Sequence, residues 1–213
     1  MHTSEKKVLL LPTRYFPSIS GAEFYFQRIA EILNASRKDN YMLNVVTSNA
    51  IDFRALRNPK GKTINKEDKF FRKVNNVSVK RFSVSYNFSL PEKLELIGKL
   101  QQKVDLNRKV QFSSTTLKKF LKNGPFSEDL INYLFFNKVI NYDVIHTTYF
   151  PYFNLIITLL LGKYLNKPAI CTPFFHFSNP RYLDVDLLKT LKKFDVLIAC
   201  TCAEKRKLIE LLR

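Results

Sequence analysis

Short apolar runs alternate with stretches of helical periodicity at both ends of this chain, and the alternation breaks down in the middle. Residues 7–12, carrying Val8 to Leu11, are apolar and short enough for a buried strand. A proline-bounded loop follows, and Gly21 opens a helical pattern over 22–36. Leu43 to Ser48 reads as the second strand. From Asn49 to Asn76 the chain is polar and basic, with Pro59, Gly61 and paired asparagines, which predicts an insertion or a mobile loop. Val77 to Phe82 alternates like a strand with one wet face, and Leu94, Ile97, Leu100 and Val104 recur at helical spacing after Pro91. A short helix stops at Gly124-Pro125, and Ser127 caps another that runs to about Val139 with Glu128 and Asp129 in its first turn.

The carboxyl half returns to regular alternation. Strands are predicted at 143–146, 168–173 and 195–200, and helices at 153–165, 184–193 and 203–213. Strands alternating with helices predict an α/β class, a doubly wound, mostly parallel sheet with helices on both faces. Ligands of such sheets bind beyond the carboxyl ends of the strands, so function belongs in the loops.

Composition narrows the class. At 213 residues and 46% hydrophobic, the chain can bury one sizeable core. The opening Met1 to Lys7 leads into an apolar run too short for a signal peptide, and Leu155 to Leu161 is far short of a membrane span, so cytoplasmic residence is expected. His2, at the extreme terminus, is expected to be disordered. Cys200 and Cys202 lie two apart and Cys171 sits near His176, but Cys-x-Cys lacks the usual zinc spacing; free thiols and no metal are the reading.

Charge changes the picture more. Lys and Arg number 35 against 18 Asp and Glu, a formal +17, which calls for an anionic partner: nucleic acid, a membrane surface or a phosphorylated substrate. The basic residues concentrate between Arg54 and Lys122, Arg108 and Lys109 among them, apart from the strand-loop-helix units. Lys93, Lys99 and Lys103 flank the apolar stripe from Leu94 to Val104, a pattern that suits docking on an anionic bilayer at the inner membrane face.

Several strings together carry a resemblance. Val8 to Leu11, Tyr15-Phe16-Pro17, Ser20-Gly21-Ala22-Glu23 and Val45-Val46-Thr47-Ser48 resemble the amino-terminal half of retaining glycosyltransferases of the GT-B fold, in the large family 4 group. Asp143-Val144-Ile145-His146, the Thr172-Pro173 loop ending in His176, and Asp195 to Thr201 resemble that family's later segments. The resemblance covers both ends and is weakest from about 50 to 125. Two departures stand out: Ser20 replaces the first glycine of the family's Gly-Gly-Ala-Glu, and Phe174 replaces the first histidine of Thr-Pro-His-x-His.

The resemblance implies a single Rossmann-like domain over 1–213 with a basic variable region at about 50–125. It further implies a hexosyltransferase that uses a nucleotide sugar as co-substrate, acts with retention on a glycan or lipid-linked acceptor, and needs neither cofactor nor metal. A carboxyl-terminal donor-binding domain, in cis or in trans, is required by that scheme, so this half is expected to have little activity alone. His176 takes the principal role, contacting the donor sugar or its phosphate. Ser20, Gly21, Thr172 and Tyr149 are expected at the substrate, with Arg14 and Tyr15 in the first loop, and His146 is expected to be structural or cleft-lining. Phe150 and Tyr152 add aromatic faces near the acceptor.

Two other classes remain. A dinucleotide-dependent oxidoreductase shares the architecture, but Gly-x-Gly-x-x-Gly is absent after the first strand. A nonenzymatic nucleic-acid binder accounts for the charge, with basic residues interleaved with Phe53, Phe70, Phe71 and Phe82, but no recognised nucleic-acid module accompanies them.

Overall fold

The computed structural model describes residues 5–36, 41–105, 111–136 and 141–213; His2, Arg108, Lys109 and Val139 lie outside them. Seven strands form one sheet in the order β3-β4-β2-β1-β5-β6-β7. The strands are β1 (Lys6–Pro12), β2 (Tyr41–Ser48), β3 (Lys73–Val74), β4 (Val77–Phe82), β5 (Val144–Thr148), β6 (Ala169–Thr172) and β7 (Val196–Leu197). All pairs are parallel except the β3–β4 hairpin. The predicted doubly wound α/β architecture is therefore the observed one.

Parallel neighbours need crossovers, and helices supply them. These are α1 (Gly21–Ala35), α2 (Leu90–Asp105), α3 (Ser114–Asn123), α4 (Glu128–Phe135), α5 (Asn154–Leu165), α6 (Val185–Leu191) and α7 (Cys202–Leu212). Because side chains alternate along a strand, β1 sends Leu9 and Leu11 to one face and Leu10 to the other. Leu10 packs with Phe26 and Ala30 of α1, whereas Leu9 and Leu11 join a larger cluster supplied by α2 to α7. Helix α5 is buried from Asn154 to Gly162, which is why it is apolar all round. The chain winds from β1 towards β2 on one side and returns to β5 on the other, so the loops diverge between β1 and β5. That divergence is where a doubly wound sheet opens a crevice.

The middle of the chain differs from expectation in two ways. The segment after β2 buries Ala55, Leu56 and Ile64, and Asp52 accepts hydrogen bonds from the Ala55 and Lys62 amides, so this loop is packed in place. Within α2, Ile97, Leu100 and Val104 are fully buried in the main cluster. The apolar stripe expected to face a bilayer is spent on the protein's own core. Lys103 Nζ donates to the Phe135 carbonyl at 2.9 Å, and Lys99 pairs with Glu95. No helix among the described residues is long and apolar enough to cross a membrane.

Local signals explain several boundaries. The Ser127 hydroxyl accepts the Leu130 amide at the start of α4, and Asp184 accepts those of Asp186 and Leu187 at the start of α6. Helix α3 stops at Gly124, whose φ of 65° favours glycine; a Cβ there would sit 2.0 Å from the Leu56 carbonyl oxygen. Close approach of that turn to Leu56 thus depends on the missing side chain.

Candidate functional site

The loops beyond the parallel strands are held by short polar side chains rather than by core packing. Thr13 donates to the Thr148 carbonyl at 2.9 Å and to Asn154 Oδ1 at 2.8 Å. Asn154 Nδ2 in turn donates to the Leu11 carbonyl at 3.2 Å, to Thr147 Oγ1 at 2.7 Å and to the Thr148 carbonyl. The Ser18 hydroxyl fastens the first loop to the Ile51 carbonyl at 2.6 Å. Buried groups with all these partners give the loops one geometry.

Above this base lies a pocket of about 370 Å³ bordered by Ser20, Gly21, Tyr149, His176, Thr201 and Glu204. It joins the start of α1, the loops after β5 and β6, and the start of α7. His176 is exposed and makes a 3.2 Å hydrogen bond between Nε2 and the Tyr149 hydroxyl. Tyr182 stands edge-on to the imidazole, 5.2 Å between centroids. Among the described residues no side chain caps the first amides of α1; Ser20 instead donates its hydroxyl to Glu23 Oε2, leaving the helix start at Gly21 and Ala22 facing the pocket. The positive end of a helix with open amides favours an anionic or hydroxylic ligand. A Cβ on Gly21 would meet nothing within 4 Å, so glycine here keeps space open rather than relieving strain.

Aromatic rings extend the site sideways. Tyr149 and Tyr152 stack at 5.2 Å with planes 13° apart, and Phe53 continues the row 6.1 Å from Tyr152. The Arg14 guanidinium lies 3.6 Å above the Phe53 ring. Flat apolar faces with polar edges suit the C–H face of a sugar ring.

Of the residues expected at the substrate, Ser20, Gly21, Tyr149 and His176 share the pocket, and the others lie beneath it. Arg14 is buried in an ion pair with Glu23, 2.9 Å from Nη2 to Oε1, and donates through Nη1 to the Ile51 carbonyl. Tyr15 is fully buried in the α1-side cluster, where desolvation pushes its hydroxyl far above the ordinary range. His146 and Thr172 face α1 from neighbouring strands; their Nε2 and Oγ1 atoms are 2.9 Å apart, and the imidazole packs 4.7 Å from the Phe26 ring. Burial pushes the His146 pKa down to about 4, so it is neutral near pH 7. It is buried and does not line the pocket. Phe150 and Tyr152 are both buried, though Tyr152 still contributes its ring to the aromatic row.

Glu204 is the residue that sequence reasoning missed. It is buried, and its carboxylate accepts the Phe175 amide at 2.9 Å and the Cys200 amide at 2.7 Å, clamping the loop after β6 to the loop after β7. Thr201 Oγ1 accepts the Glu204 amide at 3.0 Å. The Thr201-x-x-Glu204 spacing was the available signal, since it is a capping-box pattern. Cys171 is buried on β6, and Cys200 and Cys202 are exposed. Among the described residues, no three His, Cys, Asp or Glu side chains are grouped to hold a metal. Set against known proteins, the chain matches no protein-family model and no curated sequence.

Proposed function

We propose that this domain is the acceptor-side half of a retaining glycosyltransferase, which moves a hexose from a nucleotide sugar to a glycan or lipid-linked acceptor when a donor-binding domain completes the cleft. The observation that carries this reading is the meeting of His176, Tyr149 and the uncapped start of α1 in one pocket beyond the strand ends. In that scheme the His176 imidazole donates to a sugar hydroxyl or to an oxygen of the departing diphosphate. The amides at Gly21 and Ala22 meet oxygen of the same ligand, and the Tyr149 hydroxyl holds the imidazole in orientation. Tyr149 and Phe53, the accessible members of the aromatic row, supply a stacking face for the acceptor sugar.

Saturation-transfer NMR on the chain tests the reading with UDP, GDP, their hexose conjugates and simple disaccharides as probes. Ring protons of a sugar or nucleotide should receive saturation from the protein, and His176→Ala should remove the effect. Absence of transfer to every probe, or transfer indifferent to His176, overturns the assignment.

A further inference from the structure

A second groove lies at the same end of the sheet, between the start of α2, the end of α3 and the turn at Leu56. Its volume is about 450 Å³, and Leu56, Val84, Leu90, Leu121 and Phe126 form its apolar lining. Arg57, Lys93, Lys118 and Lys122 rim it, and among the described residues no carboxylate lines it. Among the described residues none of these four cations is in an ion pair. Glu92, the acidic residue of the first turn of α2, is folded back onto Ser89 and accepts from both its amide and its hydroxyl. Lys93 is half-buried with Nζ 5.4 Å from the Phe126 ring centroid, and burial lowers its pKa.

Arg57 and Lys122 also border an adjoining pocket of about 390 Å³ that contains Arg181. There Lys119 is neutralised by Asp184 and Asp186, at 2.7 and 2.8 Å. Arg181 Nη2, by contrast, is buried with no hydrogen-bond partner among the described residues, the guanidinium lying 5.7 Å from the Tyr152 ring centroid. A buried guanidinium nitrogen without an acceptor is costly, and an anion is the partner its charge favours. Unpaired cations at one end and an apolar floor at the other describe an amphiphile.

We propose that this groove binds an amphiphilic phosphate ester, with its phosphate or diphosphate on Arg57, Lys122 and Arg181 and its alkyl chain on Leu56, Val84, Leu90, Leu121 and Phe126. Charge complementarity sets the head, since the three cations face an adjoining pocket whose lining carboxylate, Asp184, is already paired with Lys119. The apolar lining sets the tail, since a free inorganic anion leaves it wet. This assignment uses none of the residues of the His176 pocket and stands or falls without the transferase reading.

Calorimetric titration of the chain decides it with three probes: octyl phosphate below its micelle concentration, inorganic phosphate, and 1-octanol. Octyl phosphate should bind at least about tenfold more tightly than either of the others, one charge-assisted contact being worth that much against 1-octanol and about two buried methylenes against inorganic phosphate. Arg57→Glu and Lys122→Glu, both at exposed positions, should each weaken octyl phosphate about tenfold with an unchanged melting curve. Leu90→Asp should bring octyl phosphate down to the affinity of inorganic phosphate. Sedimentation with phosphatidylcholine–phosphatidylglycerol vesicles (7:3) distinguishes the source: co-sedimentation lost in Arg57→Glu assigns a membrane lipid, and binding of monomeric octyl phosphate without co-sedimentation assigns a soluble ester. Equal affinity for octyl phosphate and 1-octanol overturns the proposal. So does affinity unchanged by both charge reversals, vesicle binding without monomer binding, or tighter binding of a single-stranded oligonucleotide through the same cations.

Discussion

The hydroxyl of Tyr149 and Nε2 of His176 lie 3.2 Å apart across two loops that leave adjacent parallel strands, β5 and β6. Tyr182, further along the connection that carries His176, packs edge-on to the imidazole, and Tyr149 adds a polar contact from the neighbouring loop. The contact makes the orientation of His176 a property of the sheet, which sets the separation of the two strand ends. If His176 stabilises charge developing on the leaving diphosphate, His176→Ala should lower turnover roughly 10²-fold with the donor-binding domain present, the cost of removing one such donor. Tyr149→Phe removes only the orienting bond and should cost up to about tenfold. Steady-state kinetics on both variants and the double variant checks this: the double variant should fall no further than His176→Ala. An additive loss would separate the two residues' roles.

Gly21 offers a cleaner separation of binding from folding. It starts α1 at an exposed position, and a Cβ there meets nothing within 4 Å. Gly21→Val should therefore change stability by no more than about 0.5 kcal/mol. The added side chain fills the approach to the open amides, so affinity for a nucleoside diphosphate should drop at least about tenfold, or about 1.4 kcal/mol. Thermal melting and titration with UDP, performed on one preparation, read the two quantities. Parallel losses would mark the glycine as a structural turn.

Much of this fold is written in periodicity, and its misreadings have physical causes. Helix α5 and strands β1, β5 and β6 stand out because each buries consecutive residues. Strand β3 does not: it has two residues, and the Asn75 and Asn76 that follow, read as a loop signal, form its hairpin turn with φ of 45° and 66°. Strand β7 is shorter than predicted, Val196–Leu197 within 195–200, as suits the last strand of the sheet, which pairs only with β6. The site follows the same logic. Ser20, Tyr149 and His176 sit in loops and Gly21 at the first position of α1, where sequence order after a strand places a residue near the crevice. His146 and Thr172 sit within strands, and there the two-residue alternation aims both at α1, which position along the chain alone does not reveal.

Glu204 positions the His176 loop through the backbone amides of Phe175 and Cys200. Replacing it by alanine leaves the buried Phe175 amide and the more exposed Cys200 amide without this acceptor, at about 2 kcal/mol of stability, chiefly from Phe175. Amide hydrogen exchange provides the specific readout. In Glu204→Ala, exchange at Phe175 and Cys200 should accelerate far more than at Ile145 in the sheet interior; uniform acceleration would reflect general loosening instead. Glu204→Gln keeps one carbonyl acceptor and should restore protection at one of the two amides.

The last expectation concerns acid. His146 is buried against Phe26 and bonded to Thr172, and burial holds its folded pKa at about 4 against an unfolded value of about 6.5. The depressed value means the unfolded chain binds the proton that the folded chain refuses, so protonation favours unfolding. Stability from the neutral imidazole is complete above pH 6.5 and is lost as pH falls from 6.5 towards 4, to a total of about 3 kcal/mol. Carboxylates contribute in a different window. Hydrogen bonds and ion pairs hold Asp143 below its ordinary value, and the pKa values of Asp52 and Asp184 are lowered as well, so these groups resist protonation until the pH is lower still. The interval from pH 6.5 to 4.5 thus isolates the histidine. Urea denaturation at half-unit steps across that interval should show stability falling with pH in the wild type. His146→Gln, whose amide keeps a hydrogen bond to Thr172 but cannot titrate, should flatten the profile. An equally steep profile in the variant would trace the acid sensitivity to another group and leave the imidazole charged or accommodated inside the fold.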